Sequence, residues 1–303
     1  MLTVPCDVTD NAQVEQLVKT VHDRFGSIDV LLNNAGTIQV APMELMTLED
    51  YDEALKTHFW APLYRTLAVL PEMRQRHAGR IVNVSSAGGK ISVPHLLPYS
   101  ASKFALVSLS EGLHAELAKD GIPVTTVCPG LIRTGSQHNA FFKGKHQEEY
   151  NWFSLSASLP FSSMSTESAA RQIIAAFKRG SAQVVLSIPA QIGDTLHGLF
   201  PGLTSALLVW VNRLLPKPGG IGSNRVQGKD SHSPLSPSIL TTLSDRAAIR
   251  NNRPLAKVPA LTLNSSPKLG RETLKSGSPS PTMSSIQGLA VYLSVLKIQG
   301  VGG

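Results

Sequence analysis

Tyr99 and Lys103 stand four positions apart in Tyr99-Ser-Ala-Ser-Lys103, and Ser86 closes the run Arg80-Ile-Val-Asn-Val-Ser-Ser86 thirteen residues earlier. A spacing of four places two side chains on one helix face. A phenol titrates near pH ~10, so by itself it is a poor base at neutral pH. An ammonium one turn away favours the phenolate and lowers that value. Such a tyrosine can exchange a proton with an alcohol or a nascent alkoxide, an effect on the order of 10²–10⁴ in rate. A serine hydroxyl facing it can hydrogen-bond the same substrate oxygen. The three residue types together suit proton transfer at an alcohol or carbonyl carbon. Taken singly, each also reads as an exposed tyrosine or a solvated lysine.

These side chains need a scaffold of alternating strands and helices. Leu2–Cys6 reads as a strand, and Thr9 as the cap of a helix that carries Val14, Leu17, Val18 and Val21 and ends at Gly26. Ile28–Leu32 is the next strand and stops at Asn33-Asn34-Ala35-Gly36. Thr47 caps a long helix running to about His77, with Pro62 and Pro71 placed to kink or end it. Arg80–Val84 is a strand, a helix follows from about Tyr99 to Lys119, and Val124–Cys128 is a strand ending at Pro129-Gly130. A polar and aromatic excursion fills residues 133–165, followed by a helix over Thr166–Arg179 and a last strand, Gln183–Ile188. Strands apolar throughout, separated by helices, predict an α/β fold with a parallel sheet covered on both faces.

The 303 residues carry a net charge of +7, but not evenly. Residues 1–216 hold 17 Lys/Arg against 18 Asp/Glu, whereas residues 217–303 hold 11 against 3. Two domains are expected: a folded one over 1–216, and a Ser/Pro/Gly-rich, mostly disordered basic tail over 217–303 with one short apolar patch at Leu289–Ile298. The tail has no tight basic run and few aromatics, which argues against nucleic acid binding. Cys6 and Cys128 lie in apolar runs and read as small buried hydrophobes, not as a disulfide or metal site. The first residues lack a signal-peptide pattern, and a cytoplasmic protein is expected. Leu196–Leu215 is apolar but holds His197, Asn212 and Arg213 and is broken at Pro201-Gly202. It reads as a packed helix in preference to one lying on a membrane surface.

Five landmarks in register resemble the short-chain dehydrogenase/reductase family: Asp7-Val8, Asn33-Asn34-Ala35-Gly36, Ser86, Tyr99-x-x-x-Lys103, and Pro129-Gly130 followed by Thr134. They span roughly residues 2 to 190. The resemblance implies a Rossmann-like doubly wound sheet and an oxidoreductase that uses NAD or NADP to interconvert an alcohol and a ketone or aldehyde. It implies Ser86, Tyr99 and Lys103 as catalytic residues, with Lys103 also on the nicotinamide ribose. Asp7 and Val8 correspond to the adenine contact, Asn34, Ala35 and Gly36 to the cofactor-facing strand end, and Pro129, Gly130 and Thr134 to the carboxamide segment. Asp7 reads equally as a turn carboxylate beside Thr9. His58 stands where the family often has an Asn of a proton relay; imidazole can donate and accept, so it reads as a relay group or as a packed histidine.

The family's glycine-rich phosphate turn has no counterpart here, since Gly88-Gly89 and Gly219-Gly220 fall elsewhere. Read backward from the landmarks, the chain starts at the family's third strand, so an N-terminally truncated sheet lacking the first two βα units is expected. Leu2–Cys6 should then pair with the edge of Ile28–Leu32 or be loosely held. The alternative function is a truncated or catalytically inactive member with impaired cofactor binding. Phe141, Phe142, Trp152 and Phe153 in the excursion suggest an apolar substrate, or serve as packing anchors. By resemblance, the helices near Thr47 and Tyr99 form a homo-oligomer interface.

Overall fold

The computed structural model describes residues 2–233 except residue 160, together with Leu243, Arg246, Ala247 and Arg250. The apolar patch Leu289–Ile298 and most of the expected tail lie outside the described residues. Chain order runs α1 (Asn11–Phe25), β1 (Val30–Asn33), β2 (Gln39–Val40), α2 (Leu48–Leu55), a π turn (Lys56–Trp60), α3 (Ala61–Arg76), β3 (Arg80–Val84) and α4 (Leu97–Leu117). It continues through β4 (Val124–Pro129), β5 (Leu131–Arg133), β6 (Phe141–Phe142), α5 (His146–Ser158), β7 (Ser163–Ser165) and α6 (Thr166–Arg179). β8 (Gln183–Leu186), α7 (Ile188–Leu199), α8 (Pro201–Leu214) and β9 (Val226–Gln227) follow.

The central sheet is parallel, in the order β1-β3-β4-β8. Because side chains alternate across a strand, the sheet has two apolar faces. Leu31, Ile81 and Val124 pack with Leu17, Val21, Leu70, Met73 and Leu117 of α1, α3 and α4. Val30, Val82 and Val127 pack on the other side with Ala169 and Phe177 of α6. The doubly wound α/β reading therefore holds. Inside the sheet a polar chain crosses three strands. Asn33 Nδ2 donates to Asn83 Oδ1 at 2.7 Å, Asn83 Nδ2 donates to Ser110 Oγ at 3.0 Å, and Thr126 Oγ1 donates to Ser110 Oγ at 2.7 Å.

Local departures from the sequence reading have physical causes. Asp10, not Thr9, caps α1: its carboxylate accepts from the amides of Ala12 and Gln13, while Thr9 donates to Asp7. Leu2–Cys6 forms no ladder with any described strand. It still alternates half-buried Leu2, Val4 and Cys6 with exposed Thr3, Pro5 and Asp7, and Val4 and Cys6 pack against the core. Side-chain burial, not hydrogen bonding, holds it, and β1 is the sheet's edge among the described strands. The helix expected from Thr47 to His77 is interrupted at the π turn. Pro62 has no N–H for the His58 carbonyl and its ring crowds that carbonyl, so the ladder shifts and the Ala61 amide bonds the Lys56 carbonyl. Pro71, by contrast, lies within α3 without ending it.

The C-terminal part departs further. Residues 217–233, expected to open the tail, return to the domain: Val226–Gln227 pairs antiparallel with β6, and Arg225 reaches Glu53 at 2.7 Å. Leu196–Leu215, expected as a packed helix, is divided between α7 and α8, neither of which has a buried residue. Among the described residues no helix is long and apolar enough to cross a membrane.

Arg65 on α3 is 1% exposed, and among the described residues neither terminal guanidinium nitrogen has a partner. Its Nε donates to the Ala61 carbonyl at 3.1 Å, and burial pulls its pKa down to about 10. An uncompensated buried cation costs stability that an apolar side chain of similar length avoids. Arg65→Met is therefore expected to raise the unfolding free energy by about 1–4 kcal/mol, measured by urea titration. A loss of stability would mean that the guanidinium has a favourable partner.

Candidate active site

The site forms where α4 is seated against the turn that follows β3. Ser85 Oγ donates to the Lys103 carbonyl at 2.9 Å, and Lys103 Nζ donates to the Val84 carbonyl at 3.0 Å. Gly89 makes this seat possible: a Cβ there would lie 2.7 Å from the Lys103 carbonyl oxygen. Gly88 lies under the tyrosine, where a Cβ would be 3.1 Å from Tyr99 Cε1 and 3.5 Å from Ser86 Oγ. The glycine pair that is misplaced for phosphate binding thus seats the helix.

Ser86 Oγ accepts from the Gly88 amide at 3.0 Å, which leaves its hydroxyl proton to donate. The sequence spacing suggested that Lys103 would lower the phenol's pKa, but burial dominates and raises it; a hydrogen bond with Ser86 pulls the other way. Geometry explains the difference. Lys103 Nζ lies 5.8 Å from the Tyr99 ring centroid and is turned to the Val84 carbonyl. Burial also brings the Lys103 ammonium down to about 8.

His58 sits in the π turn and is fully buried, edge-on to Tyr99 with centroids 5.4 Å apart. Its Nε2 accepts from the Thr37 amide at 3.1 Å, which places the ring proton on Nδ1. Nδ1 lies 2.7 Å from Ser102 Oγ, and Ser102 Oγ donates to the Tyr99 carbonyl at 2.9 Å. Burial, reinforced by the Lys103 charge, holds the imidazole well below its usual pKa, so it is neutral. Both ring nitrogens are engaged in tying the loop after β1 to the first turn of α4. Gly36 completes the cluster: a Cβ there would stand 3.2 Å from His58 Nε2 and 3.7 Å from Lys103 Nζ.

The remaining expected residues divide. Asn34 is exposed at the end of β1, and Ala35 packs with Val8 and Ala61 in a small buried cluster. Asp7 serves the turn before α1, accepting from the Thr9 amide at 2.9 Å. Pro129 is in the ladder with Leu186. Gly130 abuts the start of α7, where a Cβ would lie 2.4 Å from Ser187 Oγ. Thr134 Oγ1 accepts from the Ser136 amide at 3.1 Å. Ser86, Tyr99, Lys103, His58 and Gly36 therefore converge, while Asp7, Gly130 and Thr134 make local structural bonds. The thiol of Cys128 is buried and pushed up to about 12, and burial also raises that of Cys6.

Two features escaped sequence reasoning. Buried His95, at φ +64°, places Nδ1 2.9 Å from Glu149 Oε1, and Trp152 Nε1 donates to Glu149 Oε2 at 2.7 Å. This pair ties the segment before α4 to α5 across 54 positions of sequence, a separation that carries no local signal. The other is a cleft of about 830 Å³ between that segment and α8, lined in part by Met43, Pro94, Leu97, Leu208 and Val209. Of the excursion aromatics, Phe142 and Phe153 are buried in a core cluster that half-buried Trp152 packs against. Phe141 lies under the Arg225 guanidinium at 4.7 Å.

Residues 1–143 match the family described as short chain dehydrogenase. The oxidoreductase BOA17 of Botryotinia fuckeliana is 43% identical over 131 residues, which is 43% of this chain and 48% of that protein. A dehydrogenase/reductase SDR family protein 7-like of Anopheles gambiae is 39% identical over 140 residues, 46% of this chain and 44% of its own. The chain spans about half the length of the curated relatives it matches. Among solved structures, a short-chain dehydrogenase from Streptomyces avermitilis superposes with a TM-score of 0.58 at 32% identity, covering 70% of this chain and 78% of that one. A gluconate 5-dehydrogenase from Burkholderia cenocepacia, solved with NADP and tartrate, gives 0.52 at 25% identity, covering 60% and 71%.

The Lys103 environment has a pH signature. Its folded-state value of about 8 lies below the ordinary 10.5, so between those two values the unfolded chain binds the extra proton. Stability from this group therefore rises as pH increases from about 8 toward 10.5 and is flat below 8. Relative to Lys103→Met, the parent chain should gain about 1–3 kcal/mol across that window in urea unfolding. Parallel stability curves for the two proteins would show that the ammonium is not desolvated.

Proposed function

The chain belongs to the short-chain dehydrogenase/reductase family, and we propose that it is a nicotinamide-dependent oxidoreductase interconverting an alcohol and a ketone or aldehyde. One observation carries this reading: the Tyr99 and Ser86 side chains and the buried Lys103 ammonium meet beside the bare backbone of Gly36, beyond the carboxyl ends of β1 and β3. That edge is where open α/β sheets take ligands. The missing side chain at Gly36 lets the His58 imidazole and the Lys103 ammonium close on this strand end, which draws Lys103 to the edge where a cofactor would lie.

Asn34, Ala35, Gly36 and Lys103 would hold the nicotinamide ribose end of NAD or NADP. When bound, the nicotinamide supplies or takes up hydride at the substrate carbon. Tyr99 gives its phenolic proton to the substrate oxygen in reduction and receives it in oxidation. Ser86 donates a hydrogen bond to that oxygen and steadies its developing charge. Lys103, its value brought down to about 8 by burial and its Nζ bonded to the Val84 carbonyl, would favour the phenolate on turning toward Tyr99. His58 positions Thr37 and, through Ser102, the first turn of α4; passing a proton would require one of those bonds to open.

An apolar substrate is proposed from half-buried Phe141 and Trp152 of the excursion; the cleft beside Leu97 and Leu208 is lined by neither Ser86, Tyr99 nor Lys103. Exposed Leu48, Trp60, Leu67 and Phe104 on α2, the π turn, α3 and α4 support a homo-oligomer through those helices. In the test, NADH and NADPH fluorescence is titrated with the chain, and turnover is measured with apolar ketones. Tyr99→Phe should retain nucleotide binding and lose turnover by about 10² or more. If the parent chain binds neither nucleotide, the non-catalytic family member is the correct reading.

A further inference from the structure

The α7–α8 hairpin turns its apolar side chains outward. On α7, Ile188, Ile192, Leu196 and Leu199 are exposed, a spacing that makes one stripe along a helix. On α8, Leu203, Leu207, Trp210 and Leu214 do the same, with Trp210 64% exposed. Phe200, at the tip between the helices, is exposed as well. Summed over these nine residues, the exposed surface is on the order of 1,000 Å². The hairpin is nonetheless a built element. His197 Nδ1 lies 2.7 Å from Thr204 Oγ1 across the two helices, Lys90 reaches Asp194 at 3.9 Å, and Gln191 Nε2 donates to the Val185 carbonyl at 2.9 Å.

Charge decides what covers it. From Thr195 to Asn212 there is no Asp, Glu, Lys or Arg, and the first charges beyond are Arg213 and Lys217. Residues 217–303 continue with 11 Lys/Arg against 3 Asp/Glu. An apolar run free of charge from Thr195 to Asn212, with an exposed tryptophan and followed by an excess of cations, matches a bilayer whose surface is anionic. A protein interface of this size carries a polar rim with about one hydrogen bond per 100–200 Å²; here His197 and Thr204 are already bonded to each other. The helices, of 12 and 14 residues, measure about 18 and 21 Å, too short to cross a hydrocarbon core of about 30 Å.

We propose that the α7–α8 hairpin is a monotopic docking element that seats the protein on an anionic lipid surface, with the stripes of Leu203, Leu207 and Trp210 and of Ile192 and Leu196 among the acyl chains and Arg213 and Lys217 at the headgroups. No part of this rests on the catalytic reading. The full chain is sedimented with vesicles of phosphatidylcholine alone and of equal parts phosphatidylcholine and phosphatidylserine. It should pellet with the anionic vesicles, less so in high salt, and Trp210 fluorescence should shift to the blue in a Trp60→Phe/Trp152→Phe background. Leu203→Glu/Leu207→Glu/Trp210→Glu, at positions already exposed, should keep its circular dichroism and lose binding tenfold or more. A parent chain left in the supernatant, or a triple variant that binds as well as the parent, overturns the proposal. So does a parent that is dimeric without lipid and becomes monomeric in the triple variant, since the face then belongs to a second copy.

Discussion

The close approach of α4 to the turn after β3 is the constraint on which the site depends. A helix can sit that near a backbone only if the facing residues lack side chains, and Gly88 and Gly89 meet that condition. Once α4 is seated, its buried polar groups need partners within reach, because an orphaned polar group in the interior costs about 1–3 kcal/mol. The Lys103 carbonyl takes the Ser85 hydroxyl and the Lys103 ammonium takes the Val84 carbonyl. These bonds fix the rotation of α4 and thereby the position of Tyr99 beside Ser86.

Two further polar systems extend from this seat. One runs from Asn33 through Asn83 to Ser110 and Thr126, locking β1, β3 and β4 to the middle of α4. The other runs from Thr37 through His58 and Ser102 to the Tyr99 carbonyl, locking the loop after β1 to the helix start. Serine is well suited to both, being small enough for a helix-to-sheet contact and able to donate and accept. The face of α4 turned to the sheet is accordingly mixed, with Ser100, Ser102, Lys103 and Ser110 buried beside Leu106 and Val107. Pro62 contributes indirectly, because the π turn it imposes places His58 in the wall of the site.

The outer parts of the molecule obey a different balance. The excursion after β5 is held by buried pairs, His95 with Glu149 and Lys143 with Asp50, and by Phe142 and Phe153 in a common cluster. The α7–α8 hairpin has no such buried anchors. It is pinned at its base and leaves its apolar stripes in solvent, where each exposed side chain forgoes about 1.5–3 kcal/mol of burial.

The sequence by itself determined the alternation of strands and helices, the parallel doubly wound class, and the grouping of Ser86, Tyr99 and Lys103. Those features rest on local periodicity and on motif spacing, which a chain carries without being folded. It also marked Thr47, Gly26 and the ends of the central strands, since caps and glycine stops act over a single turn. Only the tertiary structure decided the rest. It raised the Tyr99 pKa where spacing had suggested lowering, because desolvation is set by packing from all sides. It occupied both nitrogens of His58, paired His95 with Glu149, and returned Val226–Gln227 to β6 across more than eighty residues. It left Leu2–Cys6 without a ladder and the stripes of α7 and α8 in solvent. Apolar periodicity shows that a face must be covered, but the covering partner is a property of the assembled surface.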